Sequence, residues 1–218
     1  GPFQKYNGVP EGASYPCLWN HDAKRERHLI VKPDSHCRIR DVKGTIPKRL
    51  QERAIERWKS ASCIHYNRDC RFNSQSLIVA MTDRPSLGGR AWPTVILKNR
   101  DHEFTFALWC NSTLGLLCHW WSANKSQDGR GTVTISGIPR IPTLNLDSIS
   151  KKQHEMAKDI FKSFRDKRLL PFDQIDEDEV RFELDKSILV DILGLPLDVY
   201  NMNSYLYLLR KKIASEPQ

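Results

Sequence analysis

The spacing of apolar and polar residues predicts strands in the first half of the chain, with one amphipathic helix among them. Apolar positions recur every three to four residues between Pro47 and Ser60, which predicts a helix whose inner face carries Leu50, Ala54, Ile55 and Trp58. Short runs rich in β-branched residues, bounded by turn residues, are typical of strands. They occur at His28–Lys32, Ser62–Tyr66, Ser76–Thr82 and Thr94–Lys98.

Helices dominate the second half of the pattern. Asp101–Ser122 is apolar nearly all round, which predicts a central buried helix, and Thr132–Ser136 alternates like a strand. Three further helices are expected at Asp147–Asp166, Asp176–Leu193 and Asp198–Ala214. The first should start with a capping box of Ser150 and Gln153, the second with one of Asp176 and Glu179, and Gly194 should end the second.

Strands early and helices late indicate an α+β fold. We expect a mixed sheet with a central apolar helix over residues 1–146, followed by a helical extension over 147–218. The longest apolar run, around residues 113–121, is too short to cross a bilayer, so no membrane partner is expected. The first residues show no charged segment followed by an apolar one, so secretion is not expected. The six cysteines form no C-x-x-C pair, which favours free thiols without a metal in a reducing cytoplasm.

The net charge of +8 is unevenly distributed. Residues 20–72 hold 14 Lys and Arg against 7 Asp and Glu, whereas residues 171–198 hold 9 acids against two basic residues. A basic first third suggests a face for a polyanion, and an acidic tail suggests a solvated or docking region. One alternative function is therefore a protein-interaction module that works through the acidic helices.

Motifs for catalysis are lacking. There is no glycine-rich phosphate loop, no G-x-S-x-G, no H-E-x-x-H, and no Asn/Asp-Pro-Pro-aromatic motif of the kind that holds a flipped base in amino-methyltransferases. Asp34, Asp41 and Lys43 imitate a nuclease metal site, although their spacing is tight. A metal-dependent nuclease is thus a second alternative, but the chain alone is expected to catalyse nothing.

The order of motifs in the second half resembles that of a target-recognition domain. The pieces are Asn111-Ser112, Gly115, the loop Gly129-Arg130-Gly131, the pairs Ile138-Pro139 and Ile141-Pro142, and the helix after Ser150. Such domains occur in type I restriction specificity subunits and at the C-terminus of type IIG-like adenine-specific DNA methyltransferases. The segments "HYNRDCRFNSQSLIVAMTD" and "GGRAWPTV" look like earlier parts of the same domain, and "LPFDQIDEDEVRFELDKSILVDILGLP" resembles the helical end of those enzymes.

This resemblance implies sequence-specific binding of duplex DNA as the specificity module of a restriction-modification methyltransferase. The catalytic and cofactor motifs of that family are absent, so we expect a C-terminal fragment. Its partner would be a methyltransferase catalytic domain, and S-adenosylmethionine would be the cofactor of the parent enzyme and not of this chain.

Candidate DNA contacts fall into five groups: the loop at 125–131, the basic runs at 21–27 and 37–43, the segment 67–76, and Arg90 beside Trp92. Glycine at 129 and 131 would let the backbone approach DNA, and nearby side chains supply donors for phosphates and base edges. The basic runs at 21–27 and 37–43 would contact phosphates. Side chains in 67–76 would either contact base edges or only stabilise a hairpin turn. The residues expected at DNA are Lys24, Arg25, Arg27, Arg38, Arg40, Arg68, Arg71, Asn73, Gln75, Arg90, Lys125, Gln127 and Arg130.

Three tryptophans near these loops are expected in the core rather than at DNA. Trp92 lies beside Arg90, and Trp120 and Trp121 end the apolar run. Tryptophan at such positions packs inside more often than it stacks on a base.

Overall fold

A computed structural model describes residues 1–6, 14–127, 129–196 and 204–216. Helices and a mixed sheet are both present, which confirms the α+β class. Six strands form the main sheet in the spatial order β1, β3, β2, β6, β4, β7. Their bounds are β1 Phe3–Tyr6, β2 Tyr15–Leu18, β3 Ser35–Ile39, β4 Ser62–Tyr66, β6 Val79–Gly88 and β7 Thr94–Val95. Only β2 and β6 pair in parallel within this sheet.

The first strand predicted from the pattern is misplaced. Residues 28–32 form no strand, although Leu29 and Val31 are buried and exchange backbone hydrogen bonds with Met81. The alternating apolar residues are buried as their pattern indicates, but the segment pairs with its neighbour through a single β-bridge, at Ile30. The true strand, β3, begins after Pro33 and pairs with both β1 and β2.

The first helix, α1, spans Lys48–Trp58, within the predicted range. Ala54 is fully buried, and Trp58 packs on a small apolar cluster around Cys17 and Cys37. Ile55, expected on the inner face, is instead 61% exposed. The helix therefore presents a narrower apolar stripe than the sequence pattern indicated.

The long apolar helix is two helices, α2 at Glu103–Asn111 and α3 at Thr113–Ser122. The break lies at Ser112, whose ψ of 165° leaves the helical region and whose hydroxyl accepts from the amide of Gly115 to cap α3. Asn111 is fully buried; its amide oxygen accepts from the backbone N–H of Ile78 and Val79. The Asn-Ser pair thus fastens α2 to the sheet and starts α3.

Three short strands make a separate antiparallel sheet in the order β5, β9, β8. They are β5 Asp69–Arg71, β8 Asn124–Ser126 and β9 Arg130–Thr132. The strand predicted at Thr132–Ser136 is wrong apart from its first residue. A turn follows instead, in which the amide of Gly137 donates to the backbone and side-chain oxygens of Thr134.

The C-terminal helices are α4 Lys151–Phe164, α5 Glu179–Lys186 and α6 Tyr205–Ala214. The capping box of Ser150 and Gln153 is confirmed. The box predicted at Asp176 is wrong, because Asp178 caps α5. A π-helical turn, Ser187–Ile192, extends α5, and Gly194 follows with a φ of +69°. The predicted start of the last helix at Asp198 lies outside the described residues.

One hydrophobic core runs across residue 146, the predicted division of the chain. It includes Ile64, Leu108 and Leu116 from the first part and Phe161 and Leu184 from the second. Trp92 and Trp120 belong to it, as expected. Trp121 was also expected inside but is 83% exposed, because it follows Trp120 on α3 and points away from the core.

Candidate nucleic-acid interface

The small sheet brings together two loops that are about sixty residues apart in sequence. Arg71 of β5 lies directly opposite Arg130 of β9, and Asp69 lies opposite Thr132. On the other side of β9, Ser126 pairs with Arg130. The two loops with the strongest candidate readers therefore form one surface.

The alternation of side chains along the strands divides this sheet into two faces. Cys70 and Gly131 pair with each other and are buried. Arg71 and Arg130 are exposed on the opposite face, where Asp69 and Thr132 are half-buried. We call this second face the outer face, and it carries both charged and hydroxyl side chains.

A cleft of about 260 Å³ opens at the outer face. It is lined by His21, Asp69, Cys70, Arg71, Arg130 and Thr132. Among the described residues, no carboxylate lies within 4.0 Å of the Arg71 or Arg130 guanidinium, whereas Asp69 is 3.9 Å from Nε of Arg68. Like charges directly opposite each other destabilise a sheet. An acceptor-rich ligand between the two guanidiniums would relieve that cost.

The 19–34 loop is fixed beside the cleft by the buried carboxylate of Glu26. Glu26 is 1% exposed and accepts from the indole N–H of Trp92 (3.2 Å) and the backbone N–H of Asp22 (2.7 Å). Its other oxygen lies 3.2 Å from Nδ1 of His21, and the His21 ring packs on Trp92 at 5.1 Å between centroids. His21 therefore has a fixed position, and its Nε2 is buried without a partner among the described residues.

Within the basic run at 21–27, the arginines are engaged by the chain itself. Arg25 donates to the carbonyl of Asn20 (2.7 Å) and forms ion pairs with Glu26 and Asp34. Arg27 donates to the carbonyl of Ala23 and the hydroxyl of Ser76. Of the three expected phosphate contacts in this run, Lys24 is the exposed one. The two arginines chiefly hold the loop together.

The second basic run lies on the other sheet. Arg38 is exposed on β3, with its guanidinium 5.1 Å from the centre of the Tyr6 ring. Arg40 is also exposed, and its Nε donates to the carbonyl of Phe3. Both belong to the edge formed by β1 and β3, so the structure does not bring them into the cleft.

The 67–76 segment contains exposed side chains that could contact DNA and buried side chains that hold the segment in shape. Asn73 is exposed beside Arg71. Gln75 is only 2% exposed, and its amide oxygen accepts from Asn67 (2.9 Å) and the backbone N–H of Arg71 (2.7 Å). A buried side chain that closes its own turn is not available to DNA, so the prediction for Gln75 is withdrawn. Its role is to shape β5.

The 90–92 segment lies next to the same loop. The amide of Arg68 donates to the carbonyl of Ala91, and the Trp92 ring packs against the His21 ring in a tilted arrangement. Arg90 is exposed, while the Arg68 side chain is mostly covered. His21, β5 and β9 thus line one cleft, and the 90–92 segment packs behind it against His21 and Arg68.

Lys125 belongs to the inner side of the small sheet, since it pairs with Gly131. Its ammonium lies 5.1 Å from the centre of the Trp120 ring and 3.4 Å from a Glu216 oxygen. That carboxylate also accepts from the Trp120 indole at 3.0 Å. Lys125 is partly exposed but ties the loop to the C-terminus, whereas Gln127 is exposed.

The two loop glycines serve the fold. Gly129 has a φ of +62°, a turn conformation that side chains disfavour, and its carbonyl accepts from the amide of Phe72. A Cβ at Gly131 would lie 2.7 Å from the Trp120 ring. Gly131 is buried against that ring, so the expectation that it lets the backbone approach DNA is wrong.

The residues of the nuclease alternative have other roles. Asp34 accepts from the backbone N–H of Trp19 (2.7 Å) and of Asn20 (2.9 Å), and from the Asn20 side chain. Asp41 and Lys43 lie in an exposed hairpin turn. No group of three metal-binding side chains occurs among the residues that the structure describes. Asp34 is best understood as a support of the loop.

The acidic helices are less acidic at the surface than the sequence suggested. Asp178 and Asp185 are each 1% exposed. Arg181, fully buried, pairs with Asp178 and donates to the carbonyls of Asn111 (2.5 Å) and Ser76 (2.8 Å). Arg210 of α6 lies 4.0 Å from Asp185 and donates to the Asp178 carbonyl. These charges join α5 and α6 to the core and leave fewer acids for docking.

Sequence reasoning missed three residues of this region. They are His21, Glu26 and Asp69, none of which the sequence pattern singled out as a site residue. The signal for Glu26 was weak, because a lone acid among arginines is usually solvated. The signal for His21 was its spacing of five residues from Glu26, which has meaning only once the loop is folded.

Comparison with known proteins gives no relative. Neither a protein-family model, nor a curated protein, nor a solved structure matches the chain. In the described part of the chain, every helix is too short or too polar to cross a lipid bilayer.

Proposed function

We propose that the chain binds duplex DNA in a sequence-specific manner, as the target-recognition module of a restriction-modification adenine methyltransferase. The observation that carries the proposal is that residues of three separately predicted segments line one cleft: the run at 21–27, the 67–76 segment and the loop that leads into β9. Arg71 and Arg130 face each other there without a carboxylate partner among the described residues. The motif order described above supports the methyltransferase context.

The exposed cations divide by position. Arg71 and Arg130 line the cleft, where a base edge would be read, because guanidinium groups pair well with guanine acceptors. Lys24 and Arg90 are exposed on neighbouring segments and would hold phosphates, which fixes register without reading sequence. Arg38 and Arg40 would extend the phosphate contacts along the β1–β3 edge.

The scaffold is suited to this role. Glu26 and Asp34 fix the 19–34 loop, and Gln75 fixes β5, so the cleft is largely formed before any ligand arrives. Preformed sites lose less conformational entropy on binding.

Fluorescence anisotropy with labelled duplexes of mixed sequence tests the proposal. Wild type should bind, and log affinity should fall with log salt at a slope near −4 to −5 if about five phosphates are contacted. Arg130→Glu should weaken binding about tenfold or more. Arg53→Glu, an equal change of charge at an exposed position on α1, should have a much smaller effect.

Two results would contradict the proposal. One is a salt slope near zero. The other is equal loss of binding in the Arg130→Glu and Arg53→Glu variants, which would show that only net charge matters.

A further inference from the structure

The cleft holds an acceptor as well as donors. Arg71 and Arg130 can only donate hydrogen bonds, whereas the ionised carboxylate of Asp69 can only accept them. A phosphate group offers acceptors alone, so Asp69 would repel it. The edge of a base pair offers donors and acceptors side by side, which matches this mixed set better.

Asp69, Arg71 and Arg130 occupy neighbouring positions on one face of the small sheet. Asp69 and Arg71 lie two residues apart on the same face of β5, which places their Cα atoms roughly 7 Å from each other. Arg130 lies directly across from Arg71, so the two guanidinium groups start from neighbouring backbones. One acceptor therefore stands next to a pair of donors along a single face.

Base pairs differ in how well they match such a row. In the major groove, guanine presents the acceptors O6 and N7, and its partner cytosine presents the N4 amine as a donor. Arginine is the most frequent specific partner of guanine, and a carboxylate can accept from cytosine N4. In an A·T pair, the thymine methyl would leave Asp69 with no donor on that side.

The Asp69 carboxylate is accessible to a ligand, and the neighbouring side chain of His21 is held in a fixed position. Its carboxylate is 38% exposed, and its one described ionic contact, to Arg68, is long at 3.9 Å. His21, fixed by Glu26 and Trp92, forms another wall of the cleft. The major groove admits a two-stranded β-ribbon, and β5 and β9, which carry these side chains, pair as such a ribbon within the small sheet.

We propose that this cleft reads a G·C pair in the target site. The Arg71–Arg130 pair donates to guanine, and Asp69 accepts from the N4 amine of cytosine. This inference rests on the proposed DNA-binding function and assigns one element of its specificity.

Asp69 gives the sharpest test, because its removal acts in opposite directions on two kinds of DNA. The bound site is first obtained by selection from a library of randomised duplexes with the wild-type chain, and it should contain an enriched G·C pair. Affinity is then measured for the selected duplex and for the same duplex with that pair changed to A·T. Wild type should prefer G·C by roughly 5- to 150-fold.

Asp69→Ala should lower this preference severalfold while binding of scrambled duplex rises, because one negative charge is lost. Arg130→Ala should bring the preference close to one. The control Lys24→Ala should weaken selected and scrambled duplexes in parallel and leave the preference unchanged. Thermal unfolding of each variant verifies that it is folded, and Asp69→Val, which also removes the acceptor, replaces Asp69→Ala if that variant is not.

The proposal is overturned if Asp69→Ala strengthens selected and scrambled duplexes equally, since the cleft would then be a phosphate clamp. It is also overturned if the wild-type chain binds duplex DNA but the selected sites contain no G·C pair sensitive to Arg130. In both cases the DNA-binding function itself would survive. Absence of any binding by the wild-type chain would overturn that function and this inference together.

Discussion

Protonation of His119 should destabilise the fold as the pH falls below neutrality. The imidazole is fully buried, its Nδ1 lies 2.9 Å from the Tyr66 hydroxyl, and its Nε2 has no partner among the described residues. Burial lowers the pKa of His119 from 6.5 to about 4. A proton would therefore place a charge, with an unsatisfied N–H, inside the core.

The sign and size of the effect follow from linkage. A histidine with a lowered folded pKa contributes its full stability above pH 6.5 and loses it as the pH falls towards 4. One pH unit corresponds to about 1.4 kcal/mol, so the free energy of unfolding should fall by roughly 3 kcal/mol across this window. His65, whose pKa burial also lowers to about 4, should add a similar loss.

Urea unfolding of wild type and His119→Gln at several pH values between 4 and 7.5 measures the effect. Glutamine does not titrate, so the difference in unfolding free energy between the two proteins isolates His119 from other groups. That difference should shift by roughly 3 kcal/mol in favour of the variant as the pH falls. A difference that stays constant with pH would refute the reasoning, whatever its absolute value.

Four further predictions concern the buried charges, the small sheet and catalysis. Burial raises the pKa of Asp185 to about 6. Its contribution to the free energy of unfolding is therefore full below pH 3.8 and is lost as the pH rises through 6. Urea unfolding should show that Asp185→Asn removes this pH dependence. Arg181→Leu should cost about 3–5 kcal/mol in the same assay, because Asp178 would be left buried without its partner. Gly131→Ala should cost roughly 1–3 kcal/mol, because its Cβ would meet the Trp120 ring; an unchanged unfolding midpoint would contradict that packing. Finally, transfer of labelled methyl groups from S-adenosylmethionine to DNA should stay at the level of a blank without protein, and incorporation above it would contradict the specificity-module proposal.

The sequence predicted helix starts and ends well where a single capping residue determines the local backbone geometry. The Ser150–Gln153 box and the end of a helix at Gly194 were both predicted from sequence, because each depends on neighbours within four residues. The break at Ser112 was missed, because the apolar pattern continues across it. Beside the break, Asn111 is held by Ile78 and Val79, more than thirty residues away, and no local pattern reports that contact.

The candidate site was predicted in its parts but not in its arrangement. Arg71 and Arg130 were both expected at DNA, yet nothing local indicates that their strands pair. Asp69 was overlooked for the same reason, since its value depends on the arginines across and along the sheet. Gln75 and Gly131 were assigned to DNA because turns and loops use the same polar and small residues as binding surfaces.

Some arginines of the chain are paired with carboxylates and others are not, so the excess positive charge lies mainly at the unpaired ones. Buried carboxylates pair with Arg25, Arg181 and Arg210, so these cations contribute little field outside the protein. Arg71 and Arg130 remain exposed and have no described carboxylate within 4.0 Å. Placing two exposed guanidinium groups face to face has a cost in the free chain. That cost becomes an advantage in a complex, because an acceptor-bearing base edge then relieves repulsion that already exists.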